Sequence, residues 1–371
     1  MKIAITADWH IGHIRKSDVV LDGISKTESD LKDQITVIAG SCMEQNVGAL
    51  LILGDVFHRN FVLGHSFRSV MRYLRLFKKT EVYVLVGNHE SSESSSSVLL
   101  PIGDFRDKNI HLVDKIRLVK IGDEEIFMVP HIRRKEYDGW TGFSPYLNKQ
   151  WEDSGATADL IVGHFHPVGA GIDPVPGSEE EMFAGSTRFV NISMFGRRHV
   201  FCGHIHKPQE FKKVHIPGSI VRFDMGERED EKRFLIYNSE DKSVESIPLH
   251  CQEMVRITLD LTSADVLEIS PDDLKEHKGK LVDVELVVND ASRSLVSTRY
   301  IREVFQKAGI QLWGVHTKDI QEKQEIDKRR SKMNPVSVFK RITTQVIKDK
   351  EKRKRVGKRG LKVLEEAKDD S

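Results

Sequence analysis

Short apolar runs at Ile3 to Ala7, Ala49 to Leu53, Val82 to Val86, Ile126 to Val129, Leu160 to Val162 and His199 to Cys202, each closed by a polar residue or a turn former, constrain the fold most. Runs of this length without a polar face read as buried strands. Between the first two, Leu31, Ile35, Ile38, Ala39 and Cys42 recur at helical spacing, and the next interval repeats this with Phe67, Val70, Met71, Leu74 and Phe77. Strand and helix alternate, which predicts an α/β layered domain whose strand-end loops are the natural home of a site.

At 371 residues the chain exceeds what one core usually organises, so smaller appendages are expected. The pattern restarts near Cys251, with strands at Met254 to Leu259, Leu281 to Val288 and Ile310 to Val315 and a helix around Thr298 to Lys307, a compact α+β unit. Past a polar stretch, Asn334 and Pro335 offer a cap and first turn for a helix bearing Val336, Phe339, Ile342, Val346 and Ile347 on one side. The expected division is therefore 1–250, 251–317 and 318–371. Gly169 to Asn191 reads as a solvated insertion.

Charge is unevenly spread. Residues Lys328 to Lys362 hold fifteen Lys or Arg against Asp349 and Glu351, a net +13 that leaves about −12 for the rest of a chain whose total is +1. A basic segment on an acidic body suits an anionic partner such as DNA; a solvated tail is the plainer reading. The first apolar run is cut short by Asp8 and His10, so neither a signal segment nor a membrane span is expected. Three widely spaced cysteines, Cys42, Cys202 and Cys251, fit neither a disulfide framework nor a CxxC metal site, which favours a cytoplasmic setting.

Five motifs directly follow apolar runs: Asp8-Trp9-His10, Gly54-Asp55-Val56-Phe57-His58, Gly87-Asn88-His89-Glu90, Gly163-His164 and Gly203-His204-Ile205-His206. A lone histidine after a strand is usually structural; five such motifs in one domain point to metal chemistry. Two divalent cations about 3.5 to 4 Å apart can neutralise a phosphodiester and activate water, but they need a shared carboxylate to offset their repulsion. Asp55 suits that bridge. In an extended segment Asp8 and His10, at i and i+2, face one side, and His204 and His206 repeat the spacing. Imidazole, carboxylate and amide oxygen together favour Mn²⁺, Fe or Zn²⁺ over an all-oxygen Mg²⁺ or Ca²⁺ cage.

The ordered set DxH, GDxxH, GNH, GH and GHxH, matched from residue 8 to residue 206, resembles the calcineurin-like metallophosphoesterases. Asp8-Trp9-His10-Ile11-Gly12, Gly203-His204-Ile205-His206-Lys207 and His215-Ile216-Pro217-Gly218-Ser219 are similar to the SbcD-type nucleases within it. The resemblance implies a β-sandwich flanked by helices, a capping DNA-binding domain and a tail that binds an SbcC-type coiled-coil ATPase, in a homodimer that acts on DNA with two Mn²⁺ ions. It also implies that Asp8, His10, Asp55 and His206 hold one metal while Asp55, Asn88, His164 and His204 hold the other. His89 would face the scissile phosphate with His58 supporting it; imidazole suits acid or base work, and the protonation state stays open. Two departures stand out. Glu90 replaces the usual Asp, and His166 is an extra histidine that supports a ligand, faces the substrate or, in the plainest reading, lies on the surface. A phosphatase or small-molecule phosphodiesterase of the same fold is the second reading, and a metal-dead scaffold the third.

Overall fold

The computed structural model describes residues 1–319 except 16–17, 19, 22–23, 93–95, 106, 156, 169–188, 264–267, 271 and 273, together with 356. The expected tail helix and most of the expected insertion lie outside the described residues. By contacts the chain divides into two units, Met1–Thr258 with Glu268–Glu285 and Ser297–His316, and Leu259–Leu267 with Leu286–Val296 and Thr317–Ser371.

In the first unit the parallel strands β1 (Lys2–Thr6), β2 (Ala49–Ile52), β3 (Glu81–Leu85) and β4 (Ile110–Val113) pair in sequence. The chain then builds a second sheet from β5 (Arg117–Ile121), β6 (Glu124–Val129), β7 (Leu160–His164), β8 (His199–Gly203), β9 (Gln209–Phe211) and β10 (Val214–Ile216), ordered β9-β10-β8-β7-β6-β5. Strand β11 (Arg233–Asn238) returns antiparallel along the free side of β1 and β12 (Val244–Pro248) pairs antiparallel with β11, making the first sheet six-stranded, β12-β11-β1-β2-β3-β4.

Side-chain alternation explains the layering, because successive residues of a strand point to opposite faces. Ile3, Ile5, Ala49 and Leu51 of the first sheet share one buried cluster with Ile126, Met128, Leu160, Val162 and Phe201 of the second, so the two sheets form a sandwich. The opposite face of the first sheet, Ala4, Leu50, Ile52, Val82 and Val84, packs on α1 (Lys26–Glu44) through Leu31, Ile35, Ile38 and Cys42 and on α2 (Gly64–Leu74) through Val70, Met71 and Leu74. Phe127, Val129, Ile161 and Val200 do the same on the outer face of the second sheet, against Phe143 and Leu147 of α3 (Phe143–Ser154). The fold is thus α/β and layered, as the sequence predicts. Ser25 caps α1, its hydroxyl accepting from the Glu28 N–H at 3.1 Å, a contact worth about 1 kcal/mol.

Farther along, Met254–Asp260, Leu281–Val288 and Gln311–Asp319 form a three-stranded sheet with the second in the middle. Met254 and Leu281 bury against Met225, with Trp313 beside them. Helix α4 (Thr298–Lys307) buries Ile301, Val304 and Phe305. In the second unit the Asn289 amide donates to the Thr262 carbonyl at 2.9 Å and Arg293 pairs with Asp319. Among the described residues no helix is long and apolar enough to cross a membrane.

Candidate metal centre

Every motif follows the C-terminal end of a parallel strand: Asp8 and His10 after β1, Asp55 after β2, Asn88 and His89 after β3, His164 at the end of β7, and His204 and His206 after β8. Backbone hydrogen bonds zip the first two loops together, from the Asp8 N–H to the Gly54 carbonyl (3.1 Å) and from the His10 N–H to the Asp55 carbonyl (2.9 Å). In the second sheet His164 pairs with Gly203, which sets His164 and His204 side by side.

Three groups of ligand-type atoms result, Asp8 with His10 and His206, Asp55 with His164 and His204, and His10 with His58 and His89; within each group the atoms lie within 4.8 Å of one another, and the first two contain the carboxylates. His204 and His206 thus belong to separate groups rather than repeating the geometry of one pair. Asn88 Oδ1 sits 2.8 Å from His164 Nε2 and 2.9 Å from His204 Nδ1. Asp55 Oδ2 lies between the first two groups, 3.3 Å from His164 Nε2 and 3.8 Å from His10 Nε2. Asp8, His10, Asp55 and His164 are buried. Nε2 of His10 faces Nε2 of His206 at 2.9 Å. Because His206 Nδ1 lies 3.1 Å from the Glu227 carboxylate and donates to it, the neutral ring of His206 carries its lone pair on Nε2. Two ring nitrogens at that spacing match adjacent ligands of one cation, since metal–nitrogen bonds of about 2.1 Å separate such ligands by about 3 Å. The residues therefore fit a pair of divalent cations.

Extended backbone is not what brings Asp8 and His10 together. Their φ values are +53° and +46°, and Asp55 (+51°) and His204 (+86°) are also left-handed. Such backbone costs about 1–2 kcal/mol per residue, and Asp and His are among the side chains that tolerate it best. Strain concentrated at four ligand-type residues marks a site. Gly87 is required by close approach, since a Cβ there would strike the Asp55 side chain and its backbone nitrogen.

His89 lies at the mouth, its side chain 19% exposed, with Nε2 3.9 Å from Asp55 Oδ2. Its Nδ1–H donates to the His58 carbonyl at 2.7 Å, and its ring stacks on that of His58 at 5.5 Å between centroids. Burial, with His13 and His89 nearby, lowers the His58 ring to about 3, so it is neutral. His166 is half-buried rather than on the surface, its ring 4.9 Å from Phe189 and 6.1 Å from His204.

The role of Glu90 and the residues Phe223, Glu227 and Lys232 were not evident from the sequence. Glu90, fully buried, accepts from the backbone N–H groups of Gly87 (2.7 Å), Phe57 (2.7 Å) and Asp55 (3.2 Å), tying the second and third loops together. Burial and the Asp55 charge push its carboxyl up to about 8 against the pull of those donors. Phe223 walls one side, 5.3 Å from the ring of His10 and 5.8 Å from that of His206. Glu227 and Lys232 stand behind His206. Their only signal in the sequence was their closeness to the Pro217-Gly218-Ser219 turn. That turn braces the His206 loop, the Ser219 N–H donating to the His206 carbonyl at 3.1 Å.

Charge balance gives a pH prediction. Burial opposes a charge on His164, yet the Asp55 and Asp8 carboxylates raise its pKa to about 9; burial likewise opposes a charged Asp55, but His164 and His89 hold its carboxyl well below the usual range. Metal-free, the site thus keeps a proton on His164 that a cation must displace. Because this pKa is raised above that of the unfolded chain, its stabilisation is complete below about 6.5 and fades as pH rises through about 9. Cation affinity should run the other way, rising by up to about tenfold per pH unit toward 9. Calorimetry in buffers of different ionisation heat measures the proton released; uptake without proton release between pH 7 and 9 would contradict the assignment.

Paired clusters of imidazole and carboxylate at the strand ends of a β-sandwich define a metal-dependent phosphoesterase. The chain belongs to the calcineurin-like phosphoesterase family, whose profile matches residues 1–208. It is 22% identical over 267 residues to the SbcD component of the nuclease SbcCD from Staphylococcus epidermidis, covering 66% of this chain and 67% of that one. It is 23% identical over 261 residues to the Rhodobacter capsulatus protein of the same name, covering 60% and 61%. It is 25% identical over 250 residues to the DNA double-strand break repair protein Mre11 of Archaeoglobus fulgidus, covering 61% and 52%. The matches span from about half to two thirds of these relatives.

Proposed function

We propose that this chain is a two-metal-ion nuclease that hydrolyses phosphodiester bonds in DNA, with exonuclease and endonuclease action in end processing. The observation that carries the reading is Asp55 Oδ2 lying between the two carboxylate-containing groups with His89 at their mouth. Asp8, His10, Asp55 and His206 would hold one cation, and Asp55, Asn88, His164 and His204 the other. The mixed nitrogen and oxygen donors suit Mn²⁺. When bound, the pair supplies charge neutralisation for the phosphate and a water of lowered pKa. With Nδ1 committed to the His58 carbonyl, His89 Nε2 is the ring atom that meets the substrate. It donates a proton to the leaving oxygen only when the ring carries both protons.

The names of the relatives support DNA over a small phosphate ester, and the basic 328–362 segment agrees. On this reading 1–250 is catalytic, 251–317 caps the DNA, and 318–371 binds an SbcC-type ATPase, the nuclease itself being a homodimer. The metal-free and Mn²⁺-loaded protein should be compared on labelled linear duplex, hairpin and single-stranded DNA beside a chromogenic phosphodiester and a phosphomonoester. Metal-dependent cleavage of DNA is expected. Turnover of the small esters with intact DNA would instead establish the phosphatase or small-molecule phosphodiesterase reading.

A further inference from the structure

Behind His206 lies a fully buried ion pair that the hydrolytic reading leaves unused. Glu227 and Lys232 side chains are 2% and 0% exposed, with Lys232 Nζ 2.7 Å from Glu227 Oε2. Taking two such charges out of water is expensive, and a pair of this kind is often replaceable by apolar residues with no loss of stability. Its partners say what it is for. Glu227 Oε1 accepts from His206 Nδ1 at 3.1 Å. Glu227 Oε2 accepts from the Phe223 N–H (3.3 Å) as well as from Lys232, and the Ser219 hydroxyl, which donates to the Val221 carbonyl at 2.9 Å, lies 3.2 Å away, so that oxygen is held in place. The Lys232 ammonium donates to the His206 carbonyl (2.9 Å), the Ser219 hydroxyl (2.9 Å) and Asp230 Oδ2 (3.1 Å).

From these contacts we infer that Glu227 and Lys232 are positioning residues for the His206 side of the metal centre, an inference that rests on the two-metal reading above. Glu227 fixes the ring of His206 as the tautomer protonated at Nδ1, so that Nε2 points its lone pair toward His10 and Asp8. Lys232 does two jobs. It neutralises Glu227, and it pins the backbone of His206 to the Ser219 turn. A neutral acceptor behind the ring could also select the tautomer, but it would take from Lys232 its nearer carboxylate, at 2.7 Å, and leave Asp230 at 3.1 Å as the counter-charge. The pair therefore works as a unit. Glu227 cannot itself be a ligand in this arrangement, because Oε2 is committed to Lys232 and the Phe223 N–H and Oε1 to the far side of the His206 ring.

The test uses the full chain labelled with ¹⁵N-histidine, and Mn²⁺ alone as the probe. Wild-type protein without metal should show His206 protonated at Nδ1, and it should take up two Mn²⁺ per chain. A Glu227→Leu, Lys232→Met double variant removes both charges of the pair; it also takes from Asp230, whose side chain is 9% exposed, its Lys232 contact, so a thermal melt first establishes that the variant is folded. It should show mixed His206 tautomers and bind one of the two Mn²⁺ about 10- to 100-fold more weakly. Glu227→Asp keeps the charge opposite Lys232 but withdraws the carboxylate from the ring, so it should weaken the same Mn²⁺ to a smaller extent. If the folded double variant keeps the wild-type tautomer and both affinities, the pair is merely structural and the inference is overturned. A wild-type chain that takes up no Mn²⁺ overturns the two-metal reading instead. Even then the tautomer, read without metal, separates the positioning role from its absence.

Discussion

Asp55→Asn is expected to yield a folded protein that binds divalent cations poorly and has lost its hydrolytic activity. Two divalent ions at the usual separation of about 3.5–4 Å repel each other by roughly 18 kcal/mol at an effective dielectric of 20. A shared anion is what offsets this. The asparagine side chain would keep an oxygen in place, able to accept from the His89 N–H as Asp55 Oδ1 does at 2.9 Å, but would bring no charge. The expected weakening is more than about 100-fold, beyond the range seen for groups that only support a ligand. Activity should fall with occupancy to the level of the metal-free protein. The metal-free protein should itself be less stable, because the pull of His164 and His89 outweighs the cost of burying the Asp55 charge, and His164 then loses the partner that holds its proton. Thermal melts separate the two effects. Saturating Mn²⁺ at 100 times its Kd stabilises the native protein by about 2.7 kcal/mol per site, so wild type should gain clearly and the variant little. A variant that retains two ions per chain and near-normal cleavage would remove Asp55 from the bridge.

Much of the fold was legible because buried strands advertise themselves. The run Ala49 to Leu53 became β2, and the helical spacing of Leu31, Ile35, Ile38 and Cys42 became the buried stripe of α1. The helix Thr298–Lys307 was visible from its periodicity and the glycine that follows it. Strands β5 and β12 were not legible. Arg117–Ile121 and Val244–Pro248 lie at sheet edges, half in water, and their mixed composition carries no clear period. Nor could the sequence show that β11 returns beside β1, since that pairing joins Lys2 with Asn238 across most of the domain.

The site divides in the same way. Its motifs stood out because metal-ligand residue types recur after strands, and the fold brings all of them together. The left-handed backbone at Asp8, His10, Asp55 and His204 left no trace, because each is an ordinary L-residue held there by its neighbours. Glu227 and Lys232 were equally hidden, as was the task of Glu90, for a charged residue reads as surface until the fold supplies its partners.

His89→Gln should separate binding from chemistry. The ring of His89 stands over the site rather than inside either ligand group that contains Asp8 or Asp55, with Nε2 3.9 Å from Asp55 Oδ2. The carboxylate it faces is also met by His10 and His164, so Asp55 keeps cationic or hydrogen-bonding neighbours without it. Glutamine places an amide at about the reach of Nε2 but has no proton to lose or gain near neutral pH, so transfer to the leaving oxygen would cease. Removing a general acid costs about 10²–10⁴ in rate, equivalent to roughly 3–5 kcal/mol of transition-state stabilisation. Both cations and DNA affinity should persist, because those depend on residues the substitution leaves alone. KM should therefore change little while kcat falls, the pattern of a group acting mainly in the transition state. A substrate with a leaving group that needs no proton sharpens the test: on a nitrophenyl ester the variant should recover most of the lost rate. Equal losses on the nitrophenyl ester and on DNA would show that His89 stabilises charge on the phosphate rather than protonating the leaving oxygen, and loss of a cation from the variant would make it a ligand.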